Sequence, residues 1–137
     1  MSPKKKLYLD IDGVLLTKKN TKASEYSSEF IKFIVENFEC FWLTTHCKGD
    51  TTPTINYISK YFNERTIENL KSIKATTWVT LKTEAIDFFE DFVWIDDFPL
   101  NAEKIILNEN SKLNKLIIVN LDNKDELKNI TKFLSIH

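Results

Sequence analysis

The chain alternates short apolar runs with longer stretches in which apolar residues recur every three or four positions. Leu7, Tyr8, Leu9 and Ile11 make the first run and Gly13 ends it, which predicts a buried strand closed by an abrupt turn. After a polar loop over 17–23, residues 24–38 carry Phe30, Ile31, Phe33, Ile34 and Val35 among charged positions, the pattern of an amphipathic helix. A second strand runs from Cys40 to Leu43. Pro53 near the start of 51–62, with Ile55, Ile58, Tyr61 and Phe62 at helical spacing, predicts the next helix. A short helix over 65–72, a short strand over 75–79 and a helix over 83–89 follow. The strand 92–95, the helix 100–107 behind Pro99 and the continuous apolar strand 116–119 come next. A closing helix, 125–134, turns Leu127, Ile130, Phe133 and Leu134 inward. Strands alternating with helices predict an α/β fold, a mostly parallel, Rossmann-like sheet covered on both faces. No repeat, low-complexity tract or Pro/Gly-rich linker divides the chain, so 1–137 is expected to be a single domain.

Composition narrows the picture only slightly. A chain of 137 residues with 42% hydrophobic content can bury about two-thirds of its unfolded surface, enough for one core. The net charge of -1 gives no overall basic field. Lys18, Lys19 and Lys22 nevertheless cluster just after the first strand, where they either face an anionic substrate or are simply solvated. Cys40 and Cys47 are too few for a disulfide framework and lack metal-ligand pairing, which predicts a reducing, cytoplasmic setting. Cys40 reads as a small core residue and Cys47 as exposed, and neither as a nucleophile. Lys4, Lys5 and Lys6 precede an apolar stretch that Asp10 interrupts, too short for a signal segment or a membrane span. No membrane partner is expected.

The chemistry lies where the apolar runs end. The first run closes on Asp10 and Asp12, the run beginning at Phe92 on Asp96 and Asp97, and the run from Cys40 on the hydroxyls Thr44 and Thr45. An unpaired buried carboxylate is too costly to keep ionised, so acids at strand ends call for a metal ion, a shared proton or both. In an open parallel sheet the strand carboxyl ends line one crevice, so these side chains converge although they are distant in sequence. Lys82, at a predicted helix start, completes the order acid-x-acid, hydroxyl, lysine, acid-acid.

That order resembles the haloacid dehalogenase superfamily of aspartate-nucleophile phosphohydrolases. LYLDIDGVLL is similar to its first motif, FWLTT to its second, Lys82 in TLKTEAIDFF to its third and VWIDD to its fourth. The resemblance implies a three-layer α/β/α sandwich. Neither 14–43 nor 45–81 has residues to spare for a cap domain, so the site is expected to be open, suited to a phosphorylated macromolecule unless a partner subunit closes it. The short capless core with WLTT and WIDD is also similar to the domain found in multifunctional nucleic-acid repair proteins, the Swiss Army Knife RNA repair group, which implies phosphorylated nucleic-acid ends as candidate substrates. His46 stands where an aromatic residue is expected in that group.

The implied activity is a magnesium-dependent phosphatase working through an aspartyl-phosphate. Attack on a phosphate dianion requires a cation, and carboxylates with a backbone carbonyl suit Mg2+. Asp10 would be the nucleophile and Asp12 the general acid and base, its backbone carbonyl also ligating the metal. Thr44 would hydrogen-bond a phosphoryl oxygen and Lys82 neutralise its charge. Asp96 would ligate the metal directly, with Asp97 acting through water or by fixing Lys82. Lys74 is close enough in sequence to replace Lys82, and Thr45 competes with Thr44. Trp42, Trp78 and Trp94 read as core, and His46 either touches the leaving group or is a plain surface histidine, the second being the expectation. The alternative class is a phosphate-binding or receiver-like signalling module that does not turn over. Receivers order these groups differently and have no counterpart of Asp12.

Overall fold

The computed structural model describes residues 4–136. Four parallel strands form one sheet in the order β2-β1-β3-β4: β1 (Lys6–Leu9), β2 (Glu39–Trp42), β3 (Phe92–Asp96) and β4 (Leu116–Ile118). Five helices connect and cover them: α1 (Ser27–Asn37), α2 (Thr52–Ile58), α3 (Glu64–Leu70), α4 (Asn101–Glu109) and α5 (Glu126–Ile136). The fold is therefore α/β with an all-parallel central sheet, compatible with a Rossmann-like sandwich.

Strand periodicity divides the core into two layers. Leu7, Leu9, Cys40, Trp42, Val93 and Ile95 face one side and pack with Phe30, Ile31 and Ile34 of α1, Leu70 of α3, and Leu127, Ile130 and Leu134 of α5. The alternate positions Tyr8, Phe92 and Trp94 face the other side, where Leu107 of α4 joins Leu43, Trp78 and Ile86. The near-continuous apolar runs of the sequence reflect this burial on both faces.

Several expected elements change at their edges. The first helix begins at Ser27 because Tyr26 is left-handed, with φ 68°. A 3-10 turn (Ser59–Tyr61) finishes α2, and Asn63 starts α3 by accepting from Thr66 N at 2.9 Å. The expected strand over 75–79 is not formed. Lys74 makes one bridge to Phe41, and the Thr76 hydroxyl then occupies the Trp42 carbonyl while the Thr76 carbonyl accepts from Gly49 N. The backbone is thereby drawn off the sheet edge. The expected helix over 83–89 shrinks to a 3-10 turn (Lys82–Ala85). Phe133 is 48% exposed rather than inward, and Cys47 is fully buried rather than exposed. Cys40 and all three tryptophans are buried as expected.

Candidate active site

Strands β1 and β2 deliver their site residues by a ladder hydrogen bond one step past the strand, and β3 delivers Asp96 as its own last residue. Asp10 N donates to Ile95 O at 3.1 Å and Leu43 N to Leu9 O at 2.8 Å, so the chain stays in register until Asp10 and Thr44 reach the carboxyl edge. Asp96 ends β3 beside them. After Asp10 the chain folds back on itself: Val14, Leu15 and Leu16 N all donate to Ile11 O, and Ser24 Oγ ties the chain before α1 to Val14 O at 2.7 Å. Gly13 is required in this turn. Its φ is +82°, and a Cβ there would overlap the Asp97 carboxylate.

Asp10 is buried, and its Oδ1 accepts from Ile11 N at 2.8 Å. Its Oδ2 lies 3.3 Å from Lys82 Nζ, which also donates to Asp96 Oδ2 at 2.7 Å. Asp96 is 1% exposed, and its second oxygen accepts from Phe98 N at 3.0 Å. Burial first, then the Asp96 charge, pushes the Asp10 carboxyl up to about 7 from 3.8, against the pull of Lys82, the Ile11 amide and the Thr44 hydroxyl. Burial alone would lower the Lys82 ammonium, but Asp10 and Asp96 outweigh it and hold that ammonium above the ordinary lysine range.

Lys82, rather than Lys74, is thus the lysine of this site. Lys74 pairs with Glu39 at 2.6 Å, beside the first residue of β2 and so at the opposite end of the strand from Thr44. Lys82 is positioned from behind by Glu103, a buried acid of α4 that accepts from Lys82 N at 2.6 Å and Leu100 N at 2.8 Å. It is Asp96 that fixes the Lys82 side chain, and not Asp97, which pairs with Lys18 at 2.7 Å.

One oxygen from each of Asp10, Asp96 and Asp97 lies within 4.8 Å of the others, the one such group among the described residues. Oxygens around an octahedral cation at about 2.1 Å sit roughly 3–4 Å apart, so this all-oxygen set fits a hard divalent ion. Three carboxylates against two ammoniums, Lys18 and Lys82, leave an acid excess for it. The Asp12 side chain is not part of this group. It turns to the mouth, where Tyr57 OH donates to Oδ1 at 2.7 Å and His46 Nε2 meets Oδ2 at 2.7 Å, so any metal contact from Asp12 falls to its backbone carbonyl.

Thr44 is buried with its hydroxyl on Asp10, and it also accepts from His46 N at 3.3 Å. Thr45 is exposed and lines the mouth with Asp10, Asp12, Lys18, Lys82, Asp96, Asp97 and Phe98, a cavity of about 290 Å3. Beyond Gly13 and Asp97 the mouth runs into a groove of about 720 Å3. Lys18, Lys19 and Lys22 form one wall and residues 118–122 the other.

Tyr57, Glu103 and Phe98 are the site residues the sequence reading does not find, and His46 is bound to Asp12 rather than loose on the surface. Thr54 and Tyr57 lie three apart on the helix after the hydroxyl motif and so share a face, but nothing in the sequence turns that face toward Asp12. Glu103 has no signal either, because an acid in a helix's first turn is ordinary. No family model matches the chain, and no curated protein matches it either.

Proposed function

We propose that this protein is a magnesium-dependent phosphatase of the haloacid dehalogenase type, acting through an aspartyl-phosphate on Asp10. One observation carries the reading: a buried carboxylate at a strand end pairs with a lysine and lies within 4.8 Å of two further acids, while a second carboxylate two residues on is held apart by Tyr57 and His46. A nucleophile and an acid-base need that division of environments. Asp10, Asp96 and Asp97 would hold magnesium together with the Asp12 carbonyl, and the ion when bound supplies positive charge that lets a phosphate dianion approach a carboxylate.

An Asp10 oxygen attacks phosphorus, the bond from phosphorus to the leaving oxygen breaks, and a proton from Asp12 passes to that oxygen. Water then attacks phosphorus, the bond to Asp10 breaks, and Asp12 takes the water's proton. Phosphate leaves with both residues restored. Lys82 balances charge on the phosphoryl oxygens, and Thr44 donates to one of them. The open mouth and the lysine-walled groove suit a substrate longer than the reacting group, with phosphorylated nucleic-acid ends as the leading class.

Purified protein should hydrolyse a generic phosphate monoester with magnesium and lose that activity on chelation. Asp10→Asn should abolish both turnover and covalent labelling, and Asp12→Asn should slow turnover by roughly 10²–10⁴-fold. Failure on every ester of a panel of phosphosugars, nucleotides, phosphopeptides and phosphorylated oligonucleotides would sink the phosphatase reading. Labelling without turnover would favour the receiver-like alternative.

A further inference from the structure

The His46 and Tyr57 rings stack at 4.0 Å with 12° between their planes, and each meets a different oxygen of Asp12. The pair is itself anchored. Thr54 Oγ1, one turn before Tyr57 on α2, donates to His46 O at 2.8 Å, while His46 N donates to the Thr44 hydroxyl at 3.3 Å. Tyr61 packs edge-on against Tyr57 with ring centres 6.1 Å apart. Two elements, the loop after β2 and helix α2, thus converge on one half-exposed carboxyl that makes no ion pair with Lys18 or Lys82. A free aspartate at a cavity mouth rotates among rotamers; this one is gripped at both oxygens. Each carboxyl oxygen has a second lone pair, so the grip leaves Asp12 able to face a substrate.

Resting on the phosphatase reading, we infer that His46 and Tyr57 are positioning residues that aim the Asp12 carboxyl at the leaving oxygen and keep it out of the Asp10, Asp96 and Asp97 cluster. Their effect is specific to esters whose leaving group must be protonated. A nitrophenolate departs without help, whereas an alkoxide departs only as the alcohol, so misaiming Asp12 penalises the second kind alone. The Tyr57 phenol suits this role, because its hydroxyl donates to Asp12 Oδ1 at 2.7 Å while its ring stacks on His46.

The test is kcat/KM, which reports steps through leaving-group departure, on 4-nitrophenyl phosphate and on a simple alkyl phosphate, with magnesium. Tyr57→Phe keeps the stacked ring and removes only the donor. We expect it to lose about tenfold or more on the alkyl ester, part of the 10²–10⁴ that proton transfer is worth, with less than about twofold change on the nitrophenyl ester. His46→Ala should show the same split and His46→Gln, which restores an amide donor, should recover part of the alkyl rate. Should one variant fail to fold by thermal melt, the other carries the comparison. Equal losses on both esters, or none on either, overturn the inference while leaving the phosphatase reading intact. A wild-type protein inactive on both esters and across the wider panel removes the phosphatase reading and the inference with it.

Discussion

At the scale of single residues the site separates two acids by environment. Asp10 is buried among acids, so its folded-state pKa of about 7 stands above the unfolded 3.8. Between those values the folded state holds a proton that the unfolded chain has lost, and stability from this group falls as pH rises toward 7. Cation binding reverses the sign, because an ion among Asp10, Asp96 and Asp97 favours the charged form that burial disfavours. Magnesium should therefore raise the melting temperature more at pH 8 than at pH 5. The difference should shrink in Asp10→Asn, with differential scanning fluorimetry at both pH values as the measurement. An equal shift at both, or one unchanged by the substitution, would show that the ion binds elsewhere. The acids, Thr44 and Lys82 were legible residue by residue because each closes an apolar run or follows one at a fixed order. Tyr57 was not, since a tyrosine at helical spacing looks like packing until Asp12 is seen against it.

At the scale of elements, the strands and helices α2 and α3 were legible, and the stretch from α3 to β3 was not. Strands buried on both faces announce themselves as apolar runs, whereas the 75–79 segment has the composition of a strand but loses its ladder to the Thr76 hydroxyl. The 83–89 segment likewise carries helical spacing, yet only the Lys82–Ala85 turn forms. Its geometry depends instead on Glu103. That acid reaches across from the first turn of α4 to take the Lys82 and Leu100 amides, so a helix placed after β3 sets the position of a lysine placed before it. Glu103→Ala leaves two amides without their acceptor. It should cost about 1–3 kcal/mol in denaturant unfolding, at roughly 0.5–1.5 kcal/mol for each of the two part-buried hydrogen bonds lost. It should also depress phosphatase activity by loosening Lys82. Wild-type stability would mean that water or a neighbour satisfies both amides and that Glu103 does not hold this turn.

For the whole molecule, the α/β architecture with its parallel sheet was legible from strands alternating with helices. The use of the basic loop was less so, because only the folded structure separates Lys18 from its neighbours. Lys18 closes on Asp97 at 2.7 Å, whereas Lys19 and Lys22 are exposed along the same groove with 118–122 opposite. No helix among the described residues is long and apolar enough to cross a membrane. An extended anion entering from the mouth would run past Lys19 and Lys22 once its terminal phosphate reached Asp10. Replacing both with glutamine, and leaving Lys18 in place, should spare turnover of a small ester. On a 5'- or 3'-phosphorylated single-stranded oligonucleotide, it should raise KM and flatten the log-log salt dependence by about 0.7 for each phosphate that a lysine no longer neutralises. Steady-state kinetics from low to physiological salt reads both effects. A salt slope unchanged by the double substitution would leave these lysines as solvated surface, and the long groove would then have to recognise an uncharged part of the substrate.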